Sequence, residues 1–303
     1  MKIGIIGLGN IAQKAYLPII GNMNNIELIL CTRNIESLRY VANKYRITQC
    51  VNTVEELVNT GIEAVFVHAA TEAHIEILEK LISSNIHIYI DKPIANSYDE
   101  SLKIVKLAEQ KNLIFMVGFN RRFAPMYKIL KEQSNPDLII MQKNRVNSLN
   151  KIREVIFDDF IHAIDTTRYL MPGDINNMQV NYLVEDKKLY NIIVKLESEN
   201  CTAVAMMNRN NGINEEVIEL MSPGNKLVVR NLEQLTCFDN GEEKVTRHKD
   251  WDPILYRRGF QEIIESFLEA VKYNKNAAIS PQDALVSHEL CEKIVYTIEN
   301  NIV

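Results

Sequence analysis

The feature that most constrains this chain lies at its start. An apolar run, Ile3-Gly4-Ile5-Ile6, ends on Gly7-Leu8-Gly9-Asn10-Ile11-Ala12. A short apolar run closing on G-x-G-x-x-A reads as a buried strand, a tight turn and the opening of a helix. Gly7 permits the turn, Gly9 lets phosphates approach the backbone, and Ala12 keeps helix and strand close. The unpaired N–H groups at the helix start then face an anion. The spacing points to a dinucleotide pyrophosphate rather than to a plain glycine turn.

The second strand of such a unit ends in Asp or Glu when it holds the ribose 2′-OH of NAD. Here it ends Leu30-Cys31-Thr32-Arg33-Asn34, with no acid and with an Arg. A guanidinium forks onto phosphate oxygens and stays charged. Thr32 and Arg33 therefore favour NADP over NAD as the cofactor.

The rest of the first 120 residues continues the same alternation. Apolar runs at Ile3–Ile6, Ile26–Leu30, Ala64–Val67, Ile86–Ile90 and Leu113–Val117 are separated by helical periodicity, as in Ile35, Leu38, Val41, Ala42 and Tyr45. Thr53-x-x-Glu56 and Ser97-x-x-Glu100 are capping boxes. This is the pattern of a parallel sheet covered on both faces. Beyond residue 120 the runs alternate instead, from Asp137–Val146 to Lys226–Val229, and Asn240-Gly241 marks a hairpin. Helices are expected at Phe123–Gln133 and Asp159–Leu170, and again in the tail, the last opening at Ser280-Pro281. The fold class is α/β: an N-terminal Rossmann doubly wound parallel sheet, residues 1–119, then a C-terminal α+β domain, residues 120–303, with a large, open, mainly antiparallel sheet. That second domain would bind substrate and build a homo-oligomer, a dimer or tetramer, through its sheet.

Composition narrows the partners. With 34 Lys+Arg against 39 Asp+Glu the net charge is −5, which disfavours nucleic acid. No apolar stretch is long enough to span a membrane, and the apolar start reads as a strand rather than a signal peptide. Five scattered cysteines without C-x-x-C spacing argue against a disulfide framework or a metal site and favour the cytoplasm. His68, His87, His248 and His288 show no metal-ligand spacing either.

Two motifs carry redox chemistry. Asp91-Lys92-Pro93 follows an apolar strand, at the sheet edge where ligands bind in open α/β folds. An ammonium there can stabilise charge on a substrate oxygen. In Asp158-Asp159-Phe160-Ile161-His162-Ala163-Ile164-Asp165, helical spacing places Asp158, His162 and Asp165 on one face. A His held by carboxylates suits general acid/base work near neutral pH.

These pieces together resemble the Gfo/Idh/MocA family, in the flavour of its bacterial MviM-like branch of predicted dehydrogenases. The match runs through residues 7–18, Ala70-Thr71-Glu72-Ala73-His74, Asp91-Lys92-Pro93, Gly118-Phe119-Asn120-Arg121-Arg122-Phe123 and Asp158–Asp165. The resemblance implies an NAD(P)-dependent oxidoreductase that acts on a secondary alcohol or carbonyl of a small, sugar- or polyol-like substrate. Lys92, Asp158 and His162 are its catalytic residues. Ala70, Thr71, His74, Asp91, Lys92 and Asn120 join Gly7–Ala12, Thr32 and Arg33 around the cofactor, with His74 on the nicotinamide side. Arg121 and Asp165 join Lys92, Asp158 and His162 around the substrate. Asp91 stands where the family has Glu, Phe160 where it has Gly, and Ala163 where Asp is common; Phe160 is expected to narrow the pocket. The alternatives are a non-catalytic dinucleotide sensor and an interaction module on the same fold.

Overall fold

The computed structural model describes residues 1–132 and 136–301, and they form two compact units. The first comprises Met1–Gly118 and Phe260–Val286, the second Phe119–Gly259 and Ser287–Val303.

In the first unit, six parallel strands stand in the order β3-β2-β1-β4-β5-β6. They are β1 Lys2–Ile6, β2 Glu27–Cys31, β3 Gln49–Val51, β4 Ala64–Val67, β5 His87–Ile90 and β6 Phe115–Val117. This is the doubly wound dinucleotide-binding order, with the reversal next to β1. Ile3, Ile5, Ala64 through Val67, Ile88 and Ile90 are fully buried, as expected when helices cover both faces. Thr53 caps the helix Val54–Asn59 in a reciprocal box with Glu56, and Ser97 caps Tyr98–Gln110. β3 is the strand the apolar pattern missed. It is a three-residue edge strand whose residues are half-buried at most, so it carries no apolar run.

The expected division after residue 119 assigned the whole tail to the second domain. Residues 260–286 instead belong to the first unit. The helix Phe260–Tyr273 packs its aromatic side against the sheet: the Phe260 ring lies 5.4 Å from that of Tyr16, and Phe267 lies 5.2 Å from Phe66, both edge-on.

The second unit is built on a nine-stranded sheet, β15-β14-β13-β12-β7-β11-β10-β8, with β9 paired to β10. Its strands are β7 Leu138–Asn144, β8 Asn150–Lys151, β9 Asn177–Glu185, β10 Lys188–Glu197, β11 Thr202–Asn208, β12 Glu215–Ser222, β13 Asn225–Arg230, β14 Gln234–Asp239 and β15 Glu242–Arg247. The pairs are antiparallel except β7 with β11. Asn240 and Gly241 both take positive φ between β14 and β15, as the hairpin signal requires. The helix Ile161–Leu170 packs on β7 and β11. The expected helix near 123 runs Pro125–Glu132, and its expected last residue, Gln133, lies outside the described residues. Ser280 caps the last helix, Pro281–Asn301, by accepting from the Asp283 N–H.

One ion pair ties three segments of this unit together. Arg122 donates from Nη2 and Nε to the two oxygens of Asp165 at 2.6 and 2.9 Å, and Ser287 Oγ donates to Asp165 Oδ1 at 2.8 Å. Asp165 is 1% exposed. Asp165→Asn should therefore strand a buried guanidinium and cost about 3 kcal/mol or more of unfolding free energy. Urea denaturation checks this; a loss below about 1 kcal/mol would show that the pair is not what holds the segments.

Candidate functional site

At the carboxyl edge of the first unit's sheet, Gly7 takes φ +84° and lies against the start of the loop after β4. A Cβ at Gly7 would sit 2.5 Å from the Ala69 nitrogen and 2.6 Å from the His68 carbonyl carbon, so the turn admits only glycine. Gly9 is the opposite case: nothing lies within 4 Å of where its Cβ would be. The chain then becomes helical at Asn10, with Asn10 and Ile11 exposed and Ala12 fully buried against the sheet. Residues Ala12–Tyr16 form a π-helical turn before the α-helix Leu17–Ile20. Pro18 explains the widening, because a proline inside a continuous helix clashes with the carbonyl four residues back.

A cavity of about 580 Å³ opens beside this turn, within the range of small-molecule sites. Of the sequence-predicted cofactor residues, Gly7, Leu8, Gly9, Thr32, Arg33 and Ala70 line it. Arg33 is exposed at the end of β2, near Ser37 on the following helix. Two acids also line the cavity, Glu55 and Glu76, and both bind Lys80 Nζ, at 2.8 and 2.7 Å. The residues fit a dinucleotide: a glycine turn with free space at Gly9, helix-start N–H groups and a cation at the far strand end.

Lys92 follows β5 at the same sheet edge. Its backbone N–H donates to Asp91 Oδ1 at 2.9 Å, and its bond to Pro93 is cis. His74, expected on the nicotinamide side, has both ring nitrogens against backbone carbonyls. It is buried, with Nδ1 3.0 Å from the Pro93 carbonyl oxygen and 3.2 Å from that of Ile94, and Nε2 3.0 Å from that of Ala69. Burial lowers its pKa while the carbonyl acceptors act to raise it; a neutral ring has one N–H and donates either to the Lys92 loop or to the loop after β4, and only the protonated ring donates to both. Thr71 lies in the short 3₁₀ turn just before it.

Sequence reasoning set His68 aside, yet the structure draws attention to it. Its side chain is fully buried, its ring is 3.9 Å from that of Tyr16, and Nδ1 is 3.8 Å from Asp91 Oδ2. Neither ring nitrogen has a hydrogen-bond partner among the described residues. No spacing rule picks out such a residue; its placement depends on β4 and β5 being neighbours.

In the second unit, Asp158, His162 and Asp165, expected on one helical face, differ in burial. Residues Val155–Phe160 form a π-helical turn ahead of the α-helix, so Asp158 lies in that turn while His162 and Asp165 lie in the helix. Asp158 is exposed, His162 half-buried and Asp165 buried in its pair with Arg122, so Asp165 is a structural residue rather than a substrate ligand. Phe160 is fully buried in the unit's core. Asn120 Nδ2 donates to the Arg258 carbonyl at 2.8 Å, and Arg121 pairs in a fork with Glu216 at 2.7 Å through both Nε and Nη2.

Residues 1–119 match the family described as "Oxidoreductase family, NAD-binding Rossmann fold", and residues 125–240 match "YceM-like, C-terminal domain". A Gfo/Idh/MocA family oxidoreductase from Vibrio cholerae is 30% identical, with a TM-score of 0.94 over 100% of this chain and 99% of that one. A dehydrogenase (MviM) from Clostridium difficile is 33% identical, also with a TM-score of 0.94, over 98% and 99%. The putative oxidoreductase YceM of Salmonella typhimurium is 28% identical over 97% of both chains.

The chain belongs to the Gfo/Idh/MocA family.

It is thus an oxidoreductase with the NAD-binding Rossmann fold of that family, and the glycine turn is the feature that its sequence displayed most openly. No helix among the described residues is long and apolar enough to cross a membrane.

The two glycines separate folding from binding. Gly9→Ala should leave the melting temperature within about 2 °C of wild type, because its Cβ meets only open space, yet weaken dinucleotide binding about tenfold or more by intruding where phosphates approach. Thermal denaturation and cofactor titration on the same variant check both halves; unchanged affinity would place the pyrophosphate elsewhere.

Proposed function

We propose that the chain is an NADP-preferring dehydrogenase or reductase that interconverts a secondary alcohol and its carbonyl on a small sugar- or polyol-like substrate. The observation that carries this reading is the position of Lys92, at the carboxyl end of β5 in the same sheet as the Gly7–Ala12 turn. Family membership supports extending the chemistry to the Asp158/His162 pair. Asp91 and Asn120 keep their proposed places around the cofactor.

Bound NADP supplies the hydride acceptor or donor at the nicotinamide. In the oxidation direction, His162 takes the hydroxyl proton as the carbonyl forms, and it returns that proton in reduction. Lys92 donates to the same oxygen and stabilises its alkoxide character. Asp158 keeps His162 in the orientation and tautomer that accept the proton. The remaining contribution is positioning, which converts an encounter into an intramolecular step.

NADP is favoured over NAD because β2 ends without a carboxylate and places Arg33 on the cavity wall, while Glu55 and Glu76 are already engaged by Lys80. The five cysteines are free, which fits a reducing cytoplasm. Leu183 and Ile193, on the adjacent strands β9 and β10, are 43% and 42% exposed, an apolar surface that supports a homo-oligomer through this sheet.

Lys92→Ala and His162→Ala should each lower turnover about 100-fold or more on whichever sugar or polyol the wild type accepts, with dinucleotide affinity within about twofold. Wild-type rates in both variants would remove the assignment, and dinucleotide binding without turnover on any substrate would favour a sensor. Fluorescence titration should give tighter binding of NADPH than NADH, and Arg33→Ala should erase the difference, a loss of about 1–3 kcal/mol for a charge-assisted pair. Equal or tighter NADH binding by the wild type would overturn the NADP preference.

A further inference from the structure

The second unit contains a buried row of charges that the proposed reaction leaves unexplained. Glu216, on β12, accepts from Arg121 Nε and Nη2 at 2.7 Å each and from the Tyr127 hydroxyl at 3.0 Å. Asp159, the residue after Asp158, accepts from Arg145 Nε and Nη2 at 2.8 and 2.9 Å and from Arg209 Nη1. Lys143, on β7, lies between the two carboxylates, with Nζ 3.4 Å from Glu216 Oε2 and 3.4 Å from Asp159 Oδ1. Lys143 is 1% exposed.

Three physical points follow. Among the described residues, four cations, Arg121, Lys143, Arg145 and Arg209, pair with two carboxylates, which leaves an excess of two positive charges in the row. The next acid along β12, Glu215, is engaged by the side-chain amides of Asn144 and Asn211. The two oxygens that face Lys143, Glu216 Oε2 and Asp159 Oδ1, are each already held by a shorter guanidinium bond, from Arg121 and from Arg145, and Lys143 reaches them only at 3.4 Å. Finally, donors are left over. Lys143 has three N–H groups and two long contacts, and Nη1 of Arg121 and of Arg145 has no acceptor among the described residues. Burial, and then the neighbouring Arg121 guanidinium, push the Lys143 pKa down to about 8. Burial alone would raise the pKa values of Asp159 and Glu216, but the surrounding cations outweigh it and hold both carboxyls well below the usual range. A buried ammonium held this loosely, with like charges on both sides, is costly unless a further anion balances it.

We infer that the substrate supplies that anion: the cluster around Lys143 is a subsite for an oxyanion, carboxylate or phosphate, carried by a polyhydroxy substrate. Guanidinium forks and an ammonium suit either group. The inference rests on the reading of the substrate as a small polyol-like molecule and narrows it to an acidic one. Its test reads binding rather than turnover, so a failure of the redox assignment and a failure of the subsite are separately visible.

The experiment is calorimetric titration and thermal denaturation of the full chain, with NADPH present, at one fixed ionic strength. The ligands are D-glucuronate, D-glucose 6-phosphate and D-glucose. At least one of the two acids should bind about tenfold or more tighter than glucose and raise the melting temperature, and which acid does so identifies the oxyanion. Lys143→Met should bring that preference below about twofold while NADPH affinity is retained. If Lys143→Met does not fold, Arg145→Gln, at a partly exposed side chain, takes its place. The inference is overturned if glucose binds as tightly as both acids, if neither acid raises the melting temperature above a matched sodium chloride control, or if the folded variant keeps the preference.

Discussion

The close approach of backbone to backbone at Gly7 is the constraint on which the first unit depends. With φ at +84° and a Cβ position only 2.5 Å from the Ala69 nitrogen, the chain can leave β1 and enter the next helix directly over the end of β4. That contact leaves the helix-start N–H groups and Gly9 facing open space and shapes the cavity that runs to Arg33. A side chain at position 7 would push the turn away from β4 and remove the wall of the cavity. The same loop after β4 is then tied to Lys92 by His74, whose ring nitrogens lie between the carbonyls of both segments. One glycine and one buried imidazole, set between carbonyls of the two loops, therefore fix where the side chain of Lys92 begins.

The second unit solves a different problem. Its core contains two kinds of buried charge. Asp165 takes a two-bond fork from Arg122 and a third bond from Ser287 Oγ, with Arg168 Nη2 3.8 Å away, and so closely hydrogen-bonded a pair is structural. The Arg121–Glu216–Lys143–Asp159 row is unmatched, with more cations than carboxylates and with Lys143 held only at 3.4 Å. The first arrangement is complete within the chain, whereas the second is not. The contrast between them, in one unit and partly on neighbouring residues, separates what holds the fold from what awaits a ligand.

The parts of this structure that were legible in the sequence are those written in local spacing. Strands β1, β2, β4, β5 and β6 announced themselves as apolar runs because both faces of the sheet are covered, and Thr53, Ser97 and Ser280 marked helix starts through hydrogen bonds three residues long. Asn240-Gly241 fixed a hairpin for the same reason. What escaped was written in contacts between distant residues. Phe260 and Phe267 show an apolar stripe, but nothing local says that its partners are Tyr16 and Phe66. Arg121, expected around the substrate, pairs with Glu216, and a separation of 95 residues hides that partner from any local pattern. Asp165, expected to face the substrate with Asp158 and His162, is instead taken by Arg122, 43 residues away. Within the site, glycine spacing and the end of β2 could be read directly, whereas the buried imidazole of His68 could not.

The central claim is that the turn Gly7–Ala12 is where this chain takes its dinucleotide. A crystal structure of the full chain grown with NADPH tests it most directly. Pyrophosphate oxygens are expected within about 3.2 Å of backbone N–H groups in the Gly9–Ile11 segment, with the 2′-phosphate beside Arg33. Ordered NADPH anywhere else in the molecule, or a pyrophosphate lying clear of that turn, would contradict it.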